Sequence, residues 1–125
     1  MNIKSYTDIL QSRKLAEILP HESTDMYYHY VTGVKNYYED VPKYIQVSNH
    51  FVFFHNDIPC WSLVVLLDFL PNNQGRYTKS LYWFDDAWHC EYVDEDGAGI
   101  LGTSADNAID ACYEMIIKLH EQKLL

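Results

Sequence analysis

The sequence predicts an α+β fold: a mostly antiparallel sheet of four to five strands packed against two or three helices as a layered sandwich. Three observations carry this reading. Residues 77–93 alternate their side chains about a short acidic break at Asp85-Asp86, which marks a hairpin with one buried face. Residues 104–123 repeat apolar positions at helical spacing. Leu63, Leu66, Leu67 and Leu70 fall at i, i+3, i+4 and i+7, a single helical stripe. A chain of 125 residues fits one domain, 1–125.

Taken in order, the first helix is expected within Thr7–Leu19. Ser5 or Thr7 is a cap for it, and Ser5-x-x-Asp8 has capping-box spacing. Leu15, Ile18 and Leu19 point inward, Arg13 and Glu17 are spaced to pair outside, and Pro20 stops the helix. Met26–Thr32 is rich in tyrosine and β-branched residues and reads as a strand ending at Gly33. Residues 33–43 read as a loop, with Tyr44–Val47 and Phe51–His55 as short extended pieces.

A second helix is expected to start at Asn56-Asp57, with Pro59 in its first turn and Pro71 at its end. Only Ser62 and Asp68 interrupt its apolar surface, so it is either buried between layers or shared with a second copy through Leu63, Leu66, Leu67 and Leu70. In the hairpin, Tyr77, Lys79, Leu81 and Trp83 point one way and Thr78, Ser80, Tyr82 and Phe84 the other. In the returning strand, Trp88, Cys90 and Tyr92 oppose His89 and Glu91. Asp94-Glu95-Asp96-Gly97 reads as a turn and Ala98–Leu101 as a short third strand. Thr103 reads as the N-cap of a final helix, Ser104–Lys123, with Thr103-x-x-Asp106 as a capping-box variant.

Composition bounds the function. Eighteen acids against nine lysines and arginines leave a net charge of −9. That disfavours direct nucleic-acid binding and anionic membrane surfaces, and suits a protein partner, in particular a basic one. Cys60, Cys90 and Cys112 are odd in number and set among apolar residues, which predicts buried thiols in a reduced, cytoplasmic setting. The opening residues Met1–Ser5 lack the apolar run of a signal peptide, and the longest apolar run, Leu63–Leu67, falls far short of a membrane span.

No catalytic, cofactor or metal constellation rises above background. His50, His55, Asp57 and Cys60 lie close in sequence, and a cysteine with a histidine can be a nucleophile with its base. Cys60, however, opens an apolar segment and reads as structural. Adding His89 makes no zinc-ligand spacing. The Asp94 turn fails as a calcium loop, because the twelfth position is Ala105 rather than a glutamate. Gly97-x-Gly99-x-x-Gly102 matches a dinucleotide-binding spacing in letters, but it follows a hairpin and precedes no second strand, so the glycines read as turn and capping residues. The cluster Tyr82, Trp83, Phe84, Trp88 and Tyr92 reads mainly as sheet packing, with a share in a protein interface. Trp83, Asp85, Asp86, Trp88, Glu91, Asp94, Glu95 and Asp96 are the candidate interaction surface.

Three segments carry a resemblance: Ile58–Leu63 running through Leu70-Pro71, the aromatic hairpin 81–93, and Gly102–Cys112. With Leu15–Ser23, they resemble small proteins of phages, prophages and mobile elements of Bacteroidetes-type bacteria. The helix, hairpin and Ala-rich helix over about 57–120 are similar to the phage ABA sandwich domain. The resemblance implies a layered α/β arrangement and a mobile-element origin, and it implies no activity. A weaker similarity, in Gly102-Thr103 followed by Ala108, is to HicB-type antitoxins, whose basic DNA-binding tail has no counterpart here. The expectation is a non-enzymatic accessory or regulatory protein that binds another protein. An acidic nucleic-acid mimic, a HicB-like module and a small hydrolase using His55 or Cys60 stand as alternatives.

Overall fold

A computed structural model describes residues 3–45 and 56–125. The described residues are α+β, with three helices and antiparallel sheets of three, two and four strands. They divide into two compact units, residues 6–65 and residues 3–5 with 66–125.

In the unit 6–65, α1 spans Ile9–Ala16. Asp8, rather than Ser5 or Thr7, caps it. The Asp8 carboxylate accepts from the Gln11 amide at 2.8 Å, and the Gln11 side chain accepts from the Asp8 amide at 3.1 Å. The cap at the other end is Glu17, so the helix stops before Pro20. The expected Arg13–Glu17 pair is replaced: Lys14 meets Glu17, and the Arg13 guanidinium lies over the Tyr38 ring at 5.5 Å.

The tyrosine-rich stretch breaks into β1 (Met26–Tyr28) and β2 (Tyr30–Val31). Residues 33–43, expected as loop, include β3 (Tyr37–Tyr38), which pairs with β2, and the start of β4 (Lys43–Tyr44). The piece Phe51–His55 and the second half of Tyr44–Val47 lie outside the described residues.

Ile58-Pro59-Cys60 is not the first turn of a helix. It is strand β5, in a sheet of order β4-β1-β5 with Pro59 opposite Tyr27. Proline donates no hydrogen bond, and an edge strand tolerates it. Pairing with β1 buries Ile58 and Cys60 against Met26 and Tyr28, with Tyr6, Ile9 and Tyr38 packed around them. The helix α2 therefore starts later, at Leu63, and ends at Phe69. Of its stripe, Leu66 and Leu70 are buried and Leu63 and Leu67 half-buried, while Val64 is 75% exposed.

In the second unit, β6 (Asn73–Gln74), β7 (Tyr77–Phe84), β8 (Ala87–Val93) and β9 (Gly99–Ala105) form an antiparallel meander in that order. Register sets Leu81 opposite Cys90 and Cys90 opposite Thr103. It likewise sets Lys79 opposite Tyr92 and Tyr92 opposite Leu101. This is the face that α3 (Ala108–Glu121) covers, burying Cys90 and Tyr92 with Ile109, Cys112, Met115 and Leu119. The Tyr92 hydroxyl donates to the Pro71 carbonyl at 2.6 Å. The Lys79 ammonium donates to the Leu67 and Leu70 carbonyls, satisfying the C-terminal end of α2.

Two expectations change here. The third strand runs to Ala105, so Gly99 and Gly102 are strand residues rather than turn or capping residues. Asn107 caps α3, not Thr103: its side chain accepts from the Asp110 amide at 2.8 Å. Two residues of the expected helix, Ser104 and Ala105, belong to the sheet because pairing with β8 claims them. All three cysteines are buried and free.

Candidate interaction surface

The four-stranded sheet has a second face, which α3 does not cover. Alternation places on it the side chains out of phase with Cys90 and Tyr92. Register aligns Tyr82 with His89 and Ser104, Ser80 with Glu91 and Gly102, and Phe84 with Ala87. Phe84 is 66% exposed and Tyr82 36%. Aromatic rings of that size at such exposure are the informative feature of this surface.

The residues are ordered by one another. The Tyr82 and His89 rings stack at 5.1 Å between centroids, 17° from parallel, and Phe84 tilts against the other end of His89 at 6.3 Å. His89 Nε2 lies 3.0 Å from the Phe84 carbonyl, which can only accept, so Nε2 carries a proton. The Tyr82 hydroxyl donates to Glu91 Oε1 at 2.8 Å. That bond, aided by slight burial and the carboxylate charge, raises the Tyr82 pKa above its ordinary value. The Glu91 side chain lies along β9, over Gly102, where a Cβ would come 3.3 Å from Glu91 Cγ. A glycine there is what lets the carboxylate lie flat on the sheet.

The residues expected to form one surface are spread over four places. Glu91 joins Tyr82 on the open face. Trp83 and Trp88 pack edge to face at 5.9 Å, on the α3 side of the sheet. Asp85 and Asp86 form the β7–β8 hairpin tip, both left-handed with φ of 52° and 58°. Asp94, Glu95 and Asp96 lie at the opposite end of β8, roughly 25 Å away at about 3.3 Å per strand residue. Asp94 is occupied in its own turn, its carboxylate accepting from the Asp96 and Ala98 amides at 3.0 and 2.9 Å. Gly97 completes that turn with φ of 83°.

Tyr82, Phe84 and His89 complete the surface that the acidic set missed. The alternation of each strand was already visible in the sequence. What joins the two rows is the register that a two-residue turn imposes, setting Tyr82 against His89.

The remaining candidates hold structural positions. The Cys60 thiol is buried. Its Sγ lies 3.3 Å from the Thr7 carbonyl, to which it donates, and the Thr7 hydroxyl bonds Ser12 at 2.8 Å. Burial pushes the Cys60 thiol up, opposite to the shift of an activated nucleophile. Asp57 faces His29 instead of Cys60: its Oδ1 lies 3.2 Å from His29 Nδ1 and accepts from the Tyr30 amide at 2.9 Å. His50 and His55 lie outside the described residues. Among the described residues no three metal-ligating side chains converge. No helix among them is long and apolar enough to cross a membrane.

No family model matches the chain, and no curated protein and no solved structure matches it either.

Proposed function

We propose that this chain is a non-enzymatic, protein-binding accessory or regulatory factor of a phage or mobile element, acting in the cytoplasm through the open face of its four-stranded sheet. The observation that supports it most is the exposure of Phe84 and Tyr82, 66% and 36%, beside the Glu91 carboxylate. A net charge of −9 favours a protein partner over a nucleic acid.

The test is affinity capture from host lysates with the wild type and with Phe84→Ala and Tyr82→Ala, each shown by circular dichroism to keep its fold. A protein retained by the wild type and lost from both variants is the expected result. The same capture by all three proteins refutes the assignment to this face.

A further inference from the structure

Resting on the reading of this face as a protein-binding surface, we infer that its occupant is an arginine of a basic partner segment. The arginine stacks on the face of the Tyr82 ring turned away from His89 and points its guanidinium at Glu91. The charges on the face argue for this. Glu91 is the carboxylate of this face, and Ser80, Tyr82, Phe84, His89, Gly102 and Ser104 around it include no lysine or arginine; Lys118 reaches the β9 edge from α3, where its ammonium donates to the Gly102 carbonyl at 2.8 Å. Among the described residues Tyr82 engages Oε1 of Glu91 and none engages Oε2. Oε2 lies 3.8 Å from where a Cβ on Gly99 would stand. Gly99 and Gly102 thus leave a shelf without side chains along the flank of the carboxylate.

A guanidinium suits these two features together. It is planar and weakly hydrated, so it stacks on aromatic faces, and its N–H fork meets a carboxylate. An ammonium offers a compact, strongly hydrated charge with no plane to stack. The Tyr82 ring has one face on His89, which leaves the other for the incoming group. The net charge of −9 draws a basic segment to the molecule, while the Tyr82 ring selects among cations.

The experiment titrates isotope-labelled protein with hexa-arginine, hexa-lysine and hexa-glutamine peptides at physiological salt, read by backbone amide shifts. Hexa-arginine is expected to move the amides of Tyr82, Glu91 and Gly102. Its affinity is expected to fall about tenfold in Glu91→Gln and in Tyr82→Ala, the loss of one charge-assisted contact or one stacking ring. Both variants must keep the wild-type spectrum elsewhere; Glu91→Gln is nearly isosteric and serves if Tyr82→Ala unfolds. Hexa-lysine is expected to bind several-fold more weakly, and hexa-glutamine not to move these amides.

The inference is overturned by shifts centred on Asp85, Asp86 and Asp94–Asp96 that Glu91→Gln leaves unchanged, by equal affinity for arginine and lysine, or by no binding. It is also overturned if the same amides shift with protein concentration alone, which makes a second copy the occupant. A captured partner that needs Phe84 but not Glu91 removes the arginine and leaves the binding face standing. Capture that ignores Phe84 and Tyr82 removes both.

Discussion

The Thr103 hydroxyl donates to the Ala111 carbonyl at 2.6 Å, which ties strand β9 to the first turn of α3. A residue placed to cap a helix instead holds the sheet against it, and Asn107 takes the cap. Asn107→Ala is expected to lower stability by about 1 kcal/mol through the lost cap. Thr103→Val should lose about 0.5–1.5 kcal/mol through the lost hydrogen bond. Urea denaturation measures both, and an unchanged midpoint for Asn107→Ala would remove Asn107 from the cap.

The hairpin tip carries strain that can be relieved. Asp85 and Asp86 both sit at positive φ, where a two-residue turn prefers Asn-Gly. Asp85→Asn with Asp86→Gly is expected to raise stability by roughly 0.5–1 kcal/mol without moving the β7–β8 register. Thermal melts together with the amide shifts of Phe84 and Ala87 check this. A lower melting temperature would mean that the aspartates hold the turn by contacts of their own.

The Asp57 side chain is buried, with one oxygen bonded and the other without a hydrogen-bond partner among the described residues. Asp57→Ala leaves the Tyr30 amide unsatisfied and should lose about 1–3 kcal/mol. Asp57→Asn keeps an acceptor for that amide and should lose less. Equal losses in chemical denaturation would show that the charge, not the Tyr30 bond, is what the site uses.

Stability should fall on the alkaline side. Burial raises the pKa of Cys60, Tyr28 and Tyr92. The three groups are neutral when protonated, so the unfolded chain ionises first as pH rises. Their contribution is intact below the ordinary thiol value of about 8.5 and shrinks above it, more steeply past about 10, where unfolded tyrosines titrate. Denaturation midpoints from pH 7 to 11 measure the slope. A flat profile would mean that these groups reach solvent in the native state.

How much was legible in the chain depended on whether local pattern and tertiary pairing agreed. In the hairpin 77–93 they did: alternation, turn length and burial all give the same register. At Pro59 they did not. Proline suits a helix start as well as an edge strand, and the leucines after it favoured the helix, whereas pairing with β1 decided for the strand. At Thr103 two similar patterns compete four residues apart, Thr103-x-x-Asp106 and Asn107-x-x-Asp110. The first is overridden because β8 requires a partner as far as Ala105. The open face was half legible. Each strand announced its own outward residues, but not that Glu91 would lie over a glycine two strands from Tyr82.

The ion pair between Lys4 and Asp110, 2.9 Å long and 106 positions apart in the chain, has a consequence for synthesis. Lys4 leaves the ribosome 106 residues before its carboxylate partner does. Until then, the sheet face carrying Cys90 and Tyr92 also lacks the helix that covers it. A nascent or truncated chain ending before Ala108 therefore presents that apolar face to its neighbours. Expression fragments cut there are expected to collect in the insoluble fraction, and pelleting them after lysis would show it.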